Sequence, residues 1–114
     1  MGDYTRVIQD ADEFLRDRRI DVLLSGPAAV NACLLAGLCD LYVGRIEGGI
    51  FHDPGFGSRM DSIWHAIKEP ESREEAVRWN QDAAAFVRNQ MTTSPDPDLP
   101  PCDVFILLMG RMPT

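Results

Sequence analysis

The sequence predicts an α+β fold, a single small domain in which a three- or four-stranded sheet is packed by about four helices in the order α-β-α-β-β-α-α-β. Helical spacing of apolar residues opens the chain and recurs in its second half. Short apolar runs of strand length stand at 22–24 and 104–109, and glycine or proline separates the segments. A chain of 114 residues, 45% of them hydrophobic, suffices for one core but not for two. We therefore expect one domain over residues 1–114, in which 92–101 is a proline-rich connector to a strand over 103–109.

The first predicted element is an amphipathic helix over residues 4–19. Asp3 precedes it as an N-cap, and Arg18 and Arg19 place positive charge near its C-terminus, where it suits the helix dipole. The apolar positions that recur at helical spacing are Tyr4, Val7, Ile8, Ala11, Phe14 and Leu15.

A buried strand, a tight turn and a helix are predicted next. The run from Ile20 to Leu24 is too short for a helix and apolar on both faces, which is typical of a central strand. Ser25 or Gly26 then precedes Pro27, a residue favoured in the first helical turn. The helix expected over 27–36 is apolar nearly all round and should end at Gly37.

Two further strands are predicted in the middle of the chain. Residues 38–46 alternate as a strand, and the turn residues Glu47-Gly48-Gly49 predict that residues 50–52 return antiparallel to it. The segment 53–57 contains a proline and two glycines and is expected to be a loop.

The C-terminal half predicts two helices and a last strand. Ser58 opens a short helix that Pro70 ends, and a capping box at Ser72 opens a longer helix that runs to about Met91. The strand at 104–109 either joins the sheet, pairs with another copy in a homo-oligomer, or docks on a partner. We favour the first, since an exposed apolar edge strand promotes aggregation.

Charge and composition limit the classes of partner. A formal net charge of −7, spread along the chain, disfavours nucleic acid and favours a protein with a basic surface. No apolar run approaches the roughly 18 residues of a membrane span, and the N-terminus does not resemble a secretion signal, so we expect no membrane association and a cytoplasmic location. Cys33, Cys39 and Cys102 have no metal or redox spacing, and no cofactor or metal is predicted.

One candidate binding site is the turn at Ser25 and Gly26. A strand that leads through a glycine-containing turn into a helix N-terminus is a common arrangement for binding phosphate or carboxylate. The alternative, which we weight more heavily, is that Ser25 caps the helix. No GxGxxG or GxxxxGK[ST] motif is present.

A second candidate lies between residues 52 and 65. Glycines there would let the backbone approach a ligand closely, and Arg59 near a helix start would bind an anion. His52 adjoins Asp53, and Asp61 and His65 would share one face of the predicted short helix, where the carboxylate would orient the imidazole. The alternative is a turn with a surface Asp–His pair.

A third candidate is a recognition surface made by Tyr42, Phe56 and Trp64 beside acidic groups. Aromatic anchors within a polar rim are typical of protein interfaces. The alternative is that the tryptophans belong to the core, which we favour for Trp79.

Two functions follow from these features. The first and preferred one is a non-catalytic protein–protein interaction protein: an inhibitor, an immunity protein or an assembly factor. The alternative is a small enzyme or an anion- or nucleotide-binding protein that uses the 25–27 turn and the 52–65 segment. No motif decides between them.

Overall fold

The chain folds as a five-stranded mixed sheet with three α-helices, in a computed structural model that describes residues 3–17, 22–52, 55–66, 68–93, 98 and 100–113. The strand order is β1-β2-β5-β3-β4; β1 and β2 are parallel, and the other neighbours are antiparallel. The elements are β1 (Asp3–Ile8), α1 (Ala11–Asp17), β2 (Val22–Ser25), α2 (Gly26–Leu35), β3 (Leu41–His52), β4 (Gly55–His65), α3 (Arg73–Thr92) and β5 (Val104–Arg111). The predicted α+β class is confirmed, with more strands and fewer helices than expected.

The N-terminal segment differs from its prediction as one helix over 4–19. Residues 3–8 form β1, which pairs parallel with β2, and residues 11–17 form a helix; Arg18 and Arg19 lie outside the described residues. The break lies at Asp10, whose carboxylate accepts a hydrogen bond from the backbone N–H of Asp12 at 2.9 Å, as a helix cap does. Strand pairing therefore decides the structure of the first segment, although its apolar spacing fits a helix.

The strand, turn and helix predicted from residue 20 to residue 36 are present over residues 22–35, and residues 20 and 21 lie outside the described residues. Leu23 and Leu24 of β2 are fully buried, and the Ser25 hydroxyl caps α2 by accepting a hydrogen bond from Ala28 N–H at 3.3 Å. Helix α2 ends at Leu35 with Ala36 as its C-cap, within one residue of the predicted end, but the chain then continues into a 3₁₀ turn, Ala36–Cys39. Asp40, in the left-handed region at φ 59°, ends that turn.

The middle of the chain forms one long hairpin instead of two short strands, a loop and a helix. The turn predicted at 47–49 is wrong, because β3 runs unbroken from Leu41 to His52. At Gly48 and Gly49 the neighbouring atoms lie too close to leave room for a side chain. A methyl group on Gly49 would overlap the Phe56 ring and the Gly57 carbonyl. Strand β4 begins at Gly55, within the loop predicted at 53–57, and continues through the first residues of the helix predicted from Ser58. Residues 53 and 54 lie outside the described residues.

An irregularity in β4 explains why a helix was expected there. Between the pairs Glu47–Ile63 and Gly49–Ser58, β3 advances by two residues and β4 by five. This wide bulge removes the period-two alternation by which a strand is recognised. Ser62 anchors the bulged strand from within: its hydroxyl donates to the Gln90 side-chain carbonyl at 2.9 Å and accepts from the Cys102 thiol at 3.3 Å.

The two faces of the sheet are covered differently. The helices cover one face and enclose the main core, in which Phe14, Cys33, Ile46, Val87 and Phe105 are buried. On the other face a smaller cluster of Leu23, Val104 and Ile106 is covered by Val7, Phe51 and Phe56. Because the edge strands β1 and β4 also contact each other, the sheet curls and the outer end of the hairpin closes over this second cluster.

The last helix and the last strand, α3 and β5, follow the prediction. Helix α3 begins at the predicted capping box, where the Ser72 hydroxyl accepts from Glu75 N–H at 3.1 Å. The predicted connector at 92–101 lies partly outside the described residues. Strand β5 pairs with β2 on one side and β3 on the other, so it joins its own sheet as favoured, and pairing of this strand with another copy is not the observed arrangement. Among the described residues, no helix is long and apolar enough to cross a membrane.

Candidate interaction surface

The turn at Ser25 and Gly26 has the contacts of a helix cap. Besides the cap bond of Ser25, Gly26 is buried against α3, where a methyl group in place of its hydrogen would lie 2.9 Å from the Met91 side chain. The space beside Gly26 is therefore filled by the Met91 side chain of α3.

The residues predicted between 52 and 65 are distributed along the β3–β4 hairpin. His52 pairs with Gly55 at its outer end, whereas His65 pairs with Arg45 seven residues farther back along β3. That spacing corresponds to about 23 Å of extended strand, so the two histidine backbones do not converge. Asp61 and His65 lie on a strand and not on the predicted helical face.

Four of these candidates have no described side-chain position, and His52 is one of them. Arg59 and Asp61 fall within the bulged part of β4, and Asp53 lies outside the described residues. Within the described ranges, no three His, Cys, Asp or Glu side chains come together as metal ligands.

The three predicted recognition aromatics occupy three separate places. Tyr42 packs edge-on against Trp79 of α3, with ring centroids 6.4 Å apart. Phe56 covers the smaller cluster on the opposite face of the sheet, and Trp64 packs against the main core on the helical side. All three are half-buried, and they do not form one contiguous patch.

Two of the shallow grooves on the surface are lined entirely by residues that the structure describes. One of about 350 Å³ lies beside Tyr42 and is lined by Tyr42, Glu69, Pro70, Gly110, Arg111 and Pro113. The other, of about 320 Å³, lies between α1 and the end of α2 and is lined by Asp12, Leu15, Arg16, Leu35, Leu38 and Cys39. The second groove is bordered by leucines and is the more apolar of the two.

An exposed apolar patch adjoins this second groove. Leu38 is 84% exposed, Leu34 is 45% exposed, and Val77 of α3 is 42% exposed. A methyl group on Gly37 would lie 3.8 Å from Val77, so the end of α2 and the middle of α3 are neighbours. We call Leu34, Leu38 and Val77 the leucine patch. The sequence does not reveal this patch, because Leu38 falls within a predicted strand. The available signal is that α2 is apolar all round, although a surface helix buries only one face.

The charges around the leucine patch are partly paired. Arg73 forms an ion pair with Asp40, and Arg16 forms one with Asp17 at 3.5 Å. In the part of the chain that the structure describes, Asp12 and Glu74 have no ion-pair partner. Arg78, next to Val77 on α3, likewise has no ion-pair partner in the described part of the chain, so the unpaired charges at this border are two acidic groups and one basic group.

Comparison with known proteins adds the family. No protein-family model matches the chain. Over 89 residues the chain is 40% identical to the immunity protein CdiI of Burkholderia pseudomallei, a match that covers 77% of this chain and 82% of that protein. The chain belongs to the CdiI immunity protein family. Of the two functions predicted from the sequence, family membership supports the first in its broader form, a protein–protein inhibitor or immunity role.

Proposed function

We propose that this CdiI family member is an immunity protein that binds a toxin protein and blocks it by occupying its surface. The observation that carries the proposal is the 40% identity to an immunity protein over most of both chains. Such a role requires an exposed surface complementary to a partner, and it requires no catalytic group on this chain.

The structural features fit binding better than catalysis. Of the residues proposed for a ligand site, Ser25 and Gly26 lie at the start of α2, and the His52 and His65 backbones lie about 23 Å apart along the hairpin. By contrast, three of the large hydrophobic side chains that are exposed cluster as the leucine patch. Exposed apolar groups that lie together on a soluble domain mark interaction surfaces.

The toxin surface that meets this chain is proposed to be basic. The chain has a net charge of −7, and exposed carboxylates such as Asp12, Glu69, Glu74 and Asp82 lie on the helical side and near the start of α3. Complementary charge speeds the encounter of two proteins and excludes partners of the wrong sign. Tyr42 and Trp64 are proposed to contribute aromatic contacts to binding, since each is partly exposed, whereas Phe56 covers the smaller cluster on the opposite face of the sheet.

The proposed location is the cytoplasm. Cys33, Cys39 and Cys102 are free thiols, and two of them are buried. Unpaired thiols persist in a reducing compartment.

The test is a growth-protection assay with the protein encoded by the neighbouring gene as the candidate toxin. Production of that protein alone should stop growth, and co-production of this chain should restore it. The two proteins should also co-purify as a stoichiometric complex. A small acidic protein of unrelated fold serves as the control and should not protect. If this chain neither restores growth nor forms the complex, the proposed function is wrong.

A further inference from the structure

We infer that the leucine patch and the adjoining α1–α2 groove form the toxin-docking surface, and that the element they receive is an apolar side chain flanked by basic residues. This inference rests on the proposed function. It goes beyond family membership because it names one face of the molecule and the chemistry of its occupant.

The leucine patch is held in a fixed position. Leu38 lies in the 3₁₀ turn, which Asp40 closes by donating its backbone N–H to Gly37 O at 3.3 Å. The Asp40 carbonyl accepts from Met112 N–H at 2.8 Å, and the Asp40 carboxylate pairs with Arg73 of α3. Because the turn is attached to two other parts of the fold, Leu38 can be presented to a partner at little further cost in conformational entropy.

The apolar surface is continuous across three elements. Leu34 and Leu38 are four residues apart at the end of α2, and Val77 lies beside the intervening Gly37. On the other side of Leu38 the groove continues over Leu15 of α1 and Leu35. A central apolar region with a groove beside it is the shape in which anchor residues of an interface are buried.

The charge at the border indicates a basic occupant. The nearby arginines Arg16 and Arg73 are paired with Asp17 and Asp40, whereas Arg78, next to Val77, has no ion-pair partner among the described residues. Glu74, one turn before Val77 on the same face of α3, and Asp12 in the groove have no ion-pair partner in the described part of the chain. Basic groups on the occupant would supply partners for these carboxylates.

The same charges argue against a second copy as the occupant. Two identical patches would bring unpaired carboxylates together, and each copy carries a net charge of −7. Like charges placed across an interface cost free energy, whereas a basic partner gains from the same groups.

The test replaces the patch while leaving the fold and the charge unchanged. The double variant Leu34→Ser/Leu38→Ser removes two exposed leucines and adds no charge. Leu108→Ser is the matched control, since Leu108 is 39% exposed but lies on β5, outside the patch and its groove. Binding of the toxin encoded by the neighbouring gene is measured by calorimetry, with circular dichroism to verify that each variant is folded.

The wild type and Leu108→Ser should bind the toxin with dissociation constants within about twofold of each other. The double variant should bind at least about tenfold more weakly, because truncating the anchor residues of an interface removes much of its binding energy. A double variant that is folded and binds like the wild type would overturn the docking surface while the proposed function stands. Failure of the wild type to bind would instead overturn the proposed function. A wild-type dimer that the double variant converts to a monomer would identify the occupant as a second copy, and our inference would be wrong.

Discussion

The side chain of Asn80 completes the sheet at the point where β4 ends. Its carbonyl oxygen accepts from Val43 N–H at 2.8 Å, and its amide nitrogen donates to Leu41 O at 3.2 Å. The amide of Asn80 thus provides the two bonds that a neighbouring strand would provide along this edge of β3. Asn80 is 3% exposed, so water cannot replace these bonds if they are lost.

Replacing Asn80 by Ala should therefore lower the free energy of unfolding by about 2–3 kcal/mol, since buried backbone groups lose their hydrogen-bond partners. Gln81→Ala on the same helix is the control, because Gln81 is exposed and its replacement should change stability by less than about 0.5 kcal/mol. Urea denaturation followed by circular dichroism measures both. Equal stability of the two variants would show that the Asn80 bonds contribute little.

Cys33 makes stability depend on pH in the alkaline range. Burial in the main core raises the pKa of its thiol from 9.0 to about 12, while a backbone hydrogen bond opposes part of that rise. The thiol therefore keeps its proton in the folded chain at a pH where the unfolded chain has lost it. Its contribution to stability is complete below pH 9 and is lost as the pH rises towards 12.

Above pH 9 this one proton should lower the free energy of unfolding by about 1.4 kcal/mol per pH unit. Urea denaturation at several pH values measures the slope for the wild type and for Cys33→Ala. All other residues are the same in the two proteins, so the difference between the two slopes isolates Cys33. Parallel slopes would mean that the thiol ionises in the folded state as readily as in the unfolded chain.

At the scale of elements, the β3–β4 hairpin depends on close contact between its strands at Gly49. A methyl group there would overlap both the Phe56 ring and the Gly57 carbonyl, and the carbonyl belongs to backbone that cannot rotate away. Gly44, by contrast, marks an irregularity of β3 opposite β5, where the nearest atom to an added methyl group is 3.6 Å away. An alanine side chain therefore has room at position 44 but not at position 49 of the same strand.

We expect Gly49→Ala to destabilise the protein by about 1–3 kcal/mol, since overpacking forces strand β4 to move. Gly44→Ala should leave stability unchanged or raise it slightly, because alanine restricts the unfolded chain more than glycine does. Thermal unfolding compares the variants, and amide hydrogen exchange shows whether β4 opens first in Gly49→Ala. Greater loss of stability in Gly44→Ala than in Gly49→Ala would contradict this account of the hairpin.

The elements that could be predicted from the sequence are those with local start signals. Ser25 and Ser72 cap α2 and α3 as expected, and the apolar run at 104–109 forms β5. The first strand could not be recognised because apolar positions on both sides of the Gln9–Asp10 break continue one helical spacing, and only pairing with β2 makes residues 3–8 extended. Likewise, the bulge in β4 is set by its partner strand and leaves no alternating pattern.

The candidate surface was less predictable than the fold. Acidity and the absence of a specific catalytic motif led to the interaction-protein hypothesis, which family membership supports in its broader form. The leucine patch could not be located because exposure of Leu38 is a property of the assembled helices. Whether an apolar residue is covered depends on elements distant in the sequence, and its own residue type does not determine it.

At the scale of the whole molecule, the two faces of the sheet are covered by different elements. The β3–β4 hairpin closes over the smaller cluster on one face, and the helices that cover the main core on the other face also carry the leucine patch. Binding by this patch should therefore require the helices to be packed against the sheet. A partner that binds only the folded state stabilises it, so toxin binding should raise the thermal stability of the protein.

The net charge of −7 should control how fast the toxin is bound, while the leucine patch controls how long it stays bound. Salt between about 0.01 M and 1 M shortens the Debye length from roughly 30 Å to 3 Å and should slow association with a basic toxin by about tenfold or more. The dissociation rate should change much less, since apolar contacts are not screened. Stopped-flow association kinetics measure the effect, and the variant Asp12→Asn/Glu74→Gln should show a weaker dependence on salt. An association rate that is insensitive to salt, or that rises with it, would mean that the toxin surface is not basic.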